Sequence, residues 1–171
     1  GGWGSNDAYQ LGFNDTVSRN VPVLNTLLSQ YGITKIVAGD SFALGLTANG
    51  QVYSWGSNEN GQCGVSTTTL PIAIPHLVSI GSGEKIVDIA AGESSSFAVT
   101  DMGDLYSWGL GTFGTLGHGV TTTVKSPKKV VAVSNVQHVF IRSYSTFALT
   151  SSGEIYAWGA NTDGQLCLNS G

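Results

Sequence analysis

Charge is scarce in this chain of 171 residues, of which 11% are Asp, Glu, Lys or Arg, whereas about a quarter is usual. Seven basic residues against eleven acidic ones leave a net charge of -4. The sequence therefore provides no overall positive field that would attract a polyphosphate. We expect no direct binding of nucleic acid by this segment.

Long apolar runs and a leader peptide are missing as well. No stretch approaches the ~20 apolar residues that a membrane helix needs, and no series of charged, apolar and small residues marks a signal peptide. An apolar share of 41% nevertheless argues against a disordered chain. We expect a soluble intracellular protein, cytoplasmic or nuclear, without a membrane partner.

Cysteine is rare and glycine is abundant. Cys63 and Cys167 are the two cysteines, too few for a disulfide framework and not in a Cys-x-x-Cys pair, which favours a reducing compartment. Glycine occupies 24 positions, roughly twice the usual share. The chain is therefore rich in turns.

The four tryptophans reveal an internal repeat, and their recurrence predicts that they are core residues. Each is followed by glycine, and they stand 52, 53 and 50 residues apart at Trp3, Trp55, Trp108 and Trp158. Nine residues after the first three comes a second glycine, and Cys167 takes that place after the fourth. Because the two cysteines follow tryptophans two repeats apart, we expect no disulfide between them.

Each repeat predicts four short strands. Alternating apolar blocks at 33–47, 86–100 and 136–150 indicate strand, turn, strand, and 51–55, 104–108 and 154–158 indicate a third strand after a tight glycine turn. A fourth, proline-marked strand at 21–23, 74–75 and 126–130 belongs at a sheet edge. Helical periodicity is limited to 23–28. The repeat units are 1–50, 51–103, 104–153 and a partial 154–171, and four antiparallel strands per unit indicate propeller blades.

These residues resemble a known family. The pattern Gly-x-(Val/Leu/Ile)-Tyr-x-Trp-Gly, then Asn, Gly-Gln-Leu-Gly, Pro and an Ala-Gly turn, is similar to the regulator of chromosome condensation repeat over the whole chain. The resemblance implies a seven-bladed β-propeller, of which about three four-stranded blades and a partial one are present. The fold class expected is therefore all-β, an incomplete propeller. Missing blades or self-association would close the ring.

Two departures from the family pattern mark a divergent member. Family repeats often carry a structural histidine where this chain has Phe42, Ser95 and Ser145, and Arg142 stands where a glycine is expected. In addition, the residue three after each tryptophan is Asn6, Asn58, Gly111 or Asn161. An alternation of Asn and Gly predicts a left-handed turn residue at that place.

Reactive constellations are not evident. His76, His118 and His138 lie at different points of their repeats without ligand spacing, and no Gly-x-Ser-x-Gly motif is present. We expect no catalytic residue, no metal and no cofactor, and hence no enzyme. The run 125–129 holds three of the seven basic residues and indicates an edge strand protected by lysines. Its Ser-Pro-x-Lys order also fits a substrate of a proline-directed kinase.

Variable turns on the constant scaffold are the candidate binding residues. They are Asp40, Phe42, Glu93, Ser95, Arg142 and Tyr144, and the alternative is that turn sequences simply drift. The resulting interpretation is a non-catalytic propeller that binds a protein partner. The alternative, implied by the family's best-known member, is a guanine-nucleotide exchange factor for the small GTPase Ran at chromatin. That member carries its wedge as an extra hairpin, for which the near-constant repeat spacing leaves no room.

Overall fold

The computed structural model describes residues 1–67 and 70–168, which form four antiparallel sheets in succession. The first sheet has two strands, β1 (Gly2–Gly4) and β2 (Arg19–Val23). A single turn of helix follows, α1 (Thr26–Ser29), which overlaps the stretch 23–28 that shows helical periodicity in the sequence. None of the helices in the described residues is long and apolar enough to cross a membrane.

Two complete four-stranded sheets follow. The second sheet contains β3 (Ile33–Ala38), β4 (Phe42–Thr47), β5 (Val52–Gly56) and β6 (Ile72–Leu77). The third contains β7 (Ile86–Ala91), β8 (Ser95–Thr100), β9 (Leu105–Gly109) and β10 (Val124–Lys129). The fourth has three strands, β11 (Val136–Arg142), β12 (Ser145–Thr150) and β13 (Ile155–Gly159). The expected all-β incomplete propeller is confirmed.

Successive sheets pack through their first strands. Strand β7 contacts β3 and β4, and β11 contacts β7 and β8. In both complete sheets the strands lie side by side in chain order, so β6 and β10 form the edges farthest from these contacts. The first strands therefore line the shared centre of the blades, and the proline-bearing fourth strands form the rim, where proline is tolerated.

The hairpin between the second and third strands is fixed by threonine and glycine. Gly50 has a φ of 82°, a conformation that favours glycine, and its N–H donates to the Thr47 carbonyl at 3.0 Å. The Thr47 hydroxyl also accepts from the Gln51 N–H at 3.1 Å. The later sheets repeat this arrangement, with Thr100 and Gly103 and with Thr150 and Gly153. The tight turn predicted at these glycines is confirmed.

Each later tryptophan ties its blade to the preceding one. The indole N–H of Trp55 donates to the Gln10 carbonyl at 3.0 Å, and that of Trp108 to the Gln62 carbonyl at 2.9 Å. Trp55 and Trp108 are buried, as predicted for the core. The same prediction is wrong for Trp3, which is 61% exposed because no preceding sheet among the described residues covers its ring.

The glycine nine residues after each tryptophan sits under the tryptophan of the next blade. A Cβ placed on Gly64 would lie 2.6 Å from Trp108 Nε1, and one on Gly12 would lie 3.1 Å from Trp55 Nε1. No side chain fits into that space without moving the ring. The equivalent Cys167 is exposed, with a φ of 52°.

The residue three after each tryptophan does not adopt the predicted left-handed conformation. Gly111 has a φ of -99°, and the asparagines are not among the residues with positive φ, which occurs further along each loop. Instead, Asn58 Oδ1 accepts from the Cys63 N–H at 2.9 Å. Asn6 and Asn161 bind their loops in the same way. Asparagine is selected here as a hydrogen-bond acceptor.

Candidate interaction surface

The turns between the first and second strands lie beside the ends of the third strands. The Ser57 N–H donates to the Ser41 carbonyl at 2.8 Å, and the Leu110 N–H to the Ser94 carbonyl at 2.9 Å. The Ala160 N–H donates to the Tyr144 carbonyl at 3.0 Å in the third copy of this contact. We call this surface the turn face, and it comprises residues 39–41, 92–94 and 143–144 with the loop residues 57–67, 110–123 and 160–168.

Three of the predicted binding residues meet on the turn face. The Asp40 N–H donates to the Glu93 carbonyl at 3.1 Å, which joins two adjacent turns. The interaction of the Tyr144 hydroxyl with the Glu93 carboxylate, followed by desolvation and the charges of Glu93 and Asp40, raises the pKa of Tyr144. Asp40 is exposed, and Glu93 and Tyr144 are partly exposed. Side chains from three blades therefore form one continuous surface.

Phe42 and Ser95 do not belong to that surface. They are the first residues of β4 and β8, and their exposed fractions are 0% and 2%. Their inclusion among the binding residues is wrong because the turn ends one residue earlier, and the side chains at these positions enter the core. They fill the place that the family gives to its structural histidine.

Arg142 is exposed but is the last residue of β11. It takes the position of Gly39 and Gly92, so the third predicted turn was one residue out of register. A Cβ on Gly39 would lie 2.5 Å from the Gly92 carbonyl oxygen, and one on Gly92 would lie 2.7 Å from Ile141 Cδ1. Glycine therefore allows adjacent turns to pack edge to edge, and Arg142 borders the turn face.

Phe113 is a surface residue that sequence reasoning missed. It is 55% exposed, it has a φ of 58°, and its ring centroid lies 5.4 Å from that of Tyr144. Its loop forms a 3-10 turn, Thr112–Gly114, because Gly111 has no side-chain amide with which to bind the loop as Asn58 does. The sequence signal for this surface residue is that Gly111 and Phe113 both differ from the equivalent residues of the other repeats. A bulky residue with positive φ is unusual.

The turn face is acidic. Its residues include Asp40, Glu59, Glu93 and Asp163 but no lysine or arginine. Of these, Asp40, Glu59 and Asp163 are exposed. With Phe113 and Tyr144 beside Glu93, the surface combines carboxylates with aromatic rings, which is chemistry suited to a basic protein surface.

A second charged cluster lies where the first strands meet. Lys35, Asp88 and His138 are each the third residue of their strand. Lys35 Nζ lies 2.5 Å from Asp88 Oδ1, and His138 Nδ1 lies 3.3 Å from Asp88 Oδ2. Asp88 is buried and also accepts from the Val139 N–H at 3.2 Å. This cluster joins three blades through one carboxylate.

The described residues form no nucleophile and base arranged for catalysis. Ser107 and His118 are neighbours at 3.0 Å, but Ser107 is fully buried and its hydroxyl donates to the Leu116 carbonyl at 2.6 Å. Its oxygen is left to accept from His118, the reverse of the direction that activates serine. Burial lowers the pKa of His118. No group of three His, Cys, Asp or Glu residues in the described part of the chain is placed to hold a metal ion.

Comparison with known proteins gives a consistent result. The family model of the regulator of chromosome condensation (RCC1) repeat matches residues 2–46, 49–99 and 102–149. The chain is 37% identical over 130 residues to the ultraviolet-B receptor UVR8 of Arabidopsis thaliana, covering 76% of this chain and 29% of that protein. It is 34% identical over 146 residues to the human E3 ubiquitin-protein ligase HERC2, covering 82% of this chain and 3% of HERC2.

Solved structures show the same fold. Prp20p from Saccharomyces cerevisiae, studied with its binding to Gsp1p and histones, is 26% identical with a TM-score of 0.72, covering 92% of this chain and 40% of Prp20p. Human WBSCR16 is 23% identical with a TM-score of 0.79, covering 92% of this chain and 41% of WBSCR16, a likeness that bears on the fold alone. The chain spans less than a third of the curated relatives above.

Proposed function

The chain belongs to the RCC1 repeat family, and from that premise we propose that it acts as a non-catalytic propeller segment that binds a protein partner through the turn face. The observation that carries this proposal is the meeting of Asp40, Glu93 and Tyr144 from three successive blades. The backbone contacts around these residues repeat from blade to blade, whereas the side chains differ. A constant frame with variable turns is the arrangement on which repeat proteins build binding surfaces.

The charge of the turn face supports a basic partner. Asp40 and Glu93 lie on adjacent turns, and the residues of the turn face include no lysine or arginine, with Arg142 at its border. Complementary charge accelerates association and selects among partners more than it adds affinity. The aromatic rings of Phe113 and Tyr144, in contact beside these carboxylates, provide the apolar part of the contact.

Charge reversal tests this proposal. Asp40→Lys with Glu93→Lys places two positive charges on the turn face, and Asp101→Lys with Glu154→Lys places two at the opposite hairpins, where both native residues are exposed. Proteins captured by the wild-type chain are identified by mass spectrometry and titrated against each variant. We expect the first double variant to weaken binding by at least roughly tenfold and the second to leave it nearly unchanged. Equal affinity for both variants would place the contact elsewhere.

Exchange of guanine nucleotide on the small GTPase Ran at chromatin is the second candidate function. The observation in its favour is the similarity to Prp20p, a protein studied with its binding to Gsp1p and histones. Such exchange needs no general base, because a partner that binds the nucleotide-free GTPase more tightly shifts the equilibrium toward it. A nuclear or cytoplasmic location is part of either proposal.

Release of a fluorescent GDP analogue from Ran separates the two candidates. Under the first proposal the chain leaves the release rate unchanged at concentrations that saturate its partner. Acceleration that is lost in the double variant Asp40→Lys with Glu93→Lys, and kept in the double variant Asp101→Lys with Glu154→Lys, would establish the exchange function instead.

A further inference from the structure

The outer strand of the third sheet carries a short basic motif that the binding function does not use. Residues 125–129 read Lys-Ser-Pro-Lys-Lys and lie in β10 (Val124–Lys129), which is hydrogen-bonded to β9 and ends the sheet. No other strand among the described residues pairs with the free edge of β10. The motif is therefore held extended, with one edge open.

A bulge lifts the serine of this motif out of the sheet ladder. Val124 is opposite Gly109 and Lys128 is opposite Ser107, so three residues, 125–127, face the single residue Trp108. The equivalent strands β6 and β2 have the same register shift next to Pro75 and Pro22. A bulge before the proline is thus a feature of every fourth strand described, and it turns the residue before the proline outward.

Ser126 is the position at which the third sheet departs from the others. The equivalent residues are Val21 and Ile74, both apolar, with 58% and 41% of their surface exposed. Ser126 is likewise exposed, and within the described residues its hydroxyl makes no hydrogen bond. Pro127 restricts the serine before it to extended conformations. The hydroxyl is therefore accessible and unengaged, on a backbone already extended.

The lysines around Ser126 are arranged asymmetrically. Lys129, three residues after Ser126, is held by Asp104 at 2.7 Å. Lys125 and Lys128 are exposed and have no ion pair among the described residues. Lysines at the second and third positions after the serine of a Ser-Pro pair are what a proline-directed kinase with an acidic subsite recognises.

We propose that Ser126 is a phosphorylation site for a proline-directed protein kinase. In the reaction the Ser126 hydroxyl oxygen attacks the γ-phosphorus of a nucleoside triphosphate, and the bond from that phosphorus to the β-γ bridging oxygen breaks. The nucleoside diphosphate leaves, and the hydroxyl proton passes to the kinase's base. The product carries about -1.5 to -2 charges at neutral pH and has three acceptor oxygens. Lys125 and Lys128 are free to form ion pairs with this phosphate.

The sequence makes this proposal unusually easy to test. The chain has four prolines, and the residues before the other three are Val21, Leu70 and Ile74. Ser126 is therefore the single serine or threonine that precedes a proline. Any proline-directed phosphorylation of this chain must occur at Ser126.

The test uses the folded full chain, a purified cyclin-dependent kinase and labelled ATP. We expect one phosphate per chain, mapped to Ser126 by peptide mass spectrometry and abolished in Ser126→Ala, whose fold is checked by circular dichroism. Lys129→Ala should slow incorporation by about tenfold, the effect of one charge-assisted contact with the kinase. Lys125→Ala, which removes the same charge on the other side of Ser126, should leave the rate within about twofold.

A peptide of residues 120–132 serves as the positive control for the kinase. Phosphorylation of this peptide without phosphorylation of the folded chain would overturn the proposal, because β10 would then withhold the serine. Incorporation that persists in Ser126→Ala would overturn it as well. A rate unchanged in Lys129→Ala would refute the role assigned to the lysine three residues after the serine.

Discussion

At the scale of single residues, Trp108 packs in the core and binds the preceding blade, whereas Trp3 does neither. Trp108 is fully buried and donates to Gln62 at 2.9 Å, whereas Trp3 is 61% exposed. We expect Trp108→Ala to lower the free energy of unfolding by about 3 to 5 kcal/mol. Trp3→Ala, the matched control, should cost less than about 1 kcal/mol. Urea unfolding of both variants measures the difference, and equal midpoints would show that the ring of Trp108 contributes no core packing.

The glycine beneath that ring offers a second test. Gly64 and Gly114 have similar φ values, 66° and 73°, but a Cβ on Gly64 would lie 2.6 Å from Trp108 Nε1 and one on Gly114 would meet nothing within 4 Å. Gly114→Ala should cost about 1 to 2 kcal/mol, the cost of the left-handed backbone. Gly64→Ala should cost more by the displacement of the ring. Equal losses by thermal melting would mean that the ring shifts freely.

The two cysteines should differ in reactivity. Both are free, but burial raises the pKa of the Cys63 thiol to about 12. Because the thiolate is the reactive form, Cys63 stays protonated at pH 8 and becomes reactive only as pH approaches that value. We expect a disulfide reagent at pH 8 to label the exposed Cys167 rapidly and Cys63 only after unfolding. Labelling of two thiols per folded chain, counted by mass spectrometry, contradicts this expectation.

At the scale of the element, the first strands are joined by charge as well as by packing. Asp88 is buried and binds Lys35, His138 and the Val139 N–H, whereas Asp104 forms a more exposed pair with Lys129. Asp88→Ala leaves several donors without their acceptor and should cost about 1 to 3 kcal/mol. Asp104→Ala should cost at most about 1 kcal/mol. Chemical unfolding at low and high salt tests both, and a cost for Asp88→Ala no larger than that for Asp104→Ala would show that the cluster does not hold the blades together.

Elements were predictable from the sequence where the signal is local. The hairpin at Gly50 is specified by residues within one turn of chain, so its position followed from the repeat. The role of Asn58 could not be predicted from the sequence. An asparagine is expected at this position both where the backbone has positive φ and where its side chain accepts a hydrogen bond, as it does from Cys63. Phe42 was misplaced for a related reason, because the last residue of a turn and the first of a strand differ in burial and not in spacing.

The turn face was predictable only in part, because its residues come from different blades. The turns of Asp40 and Glu93 recur with the repeat and were found. The contact of Phe113 with Tyr144 joins a loop of one sheet to a turn of the next, and it depends on the altered loop at Gly111. Such a contact arises from packing between blades, which spacing along the chain does not record.

At the scale of the whole molecule, the incomplete ring leaves the first sheet with two strands and the fourth with three among the described residues. Among the described residues β13 pairs with β12 but with no fourth strand. Ile155 on β13 is 69% exposed, and Tyr156 is 40% exposed. An open strand edge beside exposed apolar side chains is a site for pairing with another chain. Further blades of a longer chain would cover the open edge of β13. When this segment is alone, a second copy of the chain is the partner that can cover it.

We therefore predict that the 171-residue chain self-associates in isolation through β13. Light scattering should give a mass that rises above 17.7 kDa with concentration. Ile155→Lys, which places a charge beside the open edge, should shift the mass toward that of the monomer. Met102→Lys, at a hairpin residue that is 78% exposed, should leave association unchanged, because that hairpin has no free ladder. A wild-type chain that stays folded and monomeric at high concentration would refute the prediction, and equal effects of the two lysines would assign association to general surface hydrophobicity rather than to the edge.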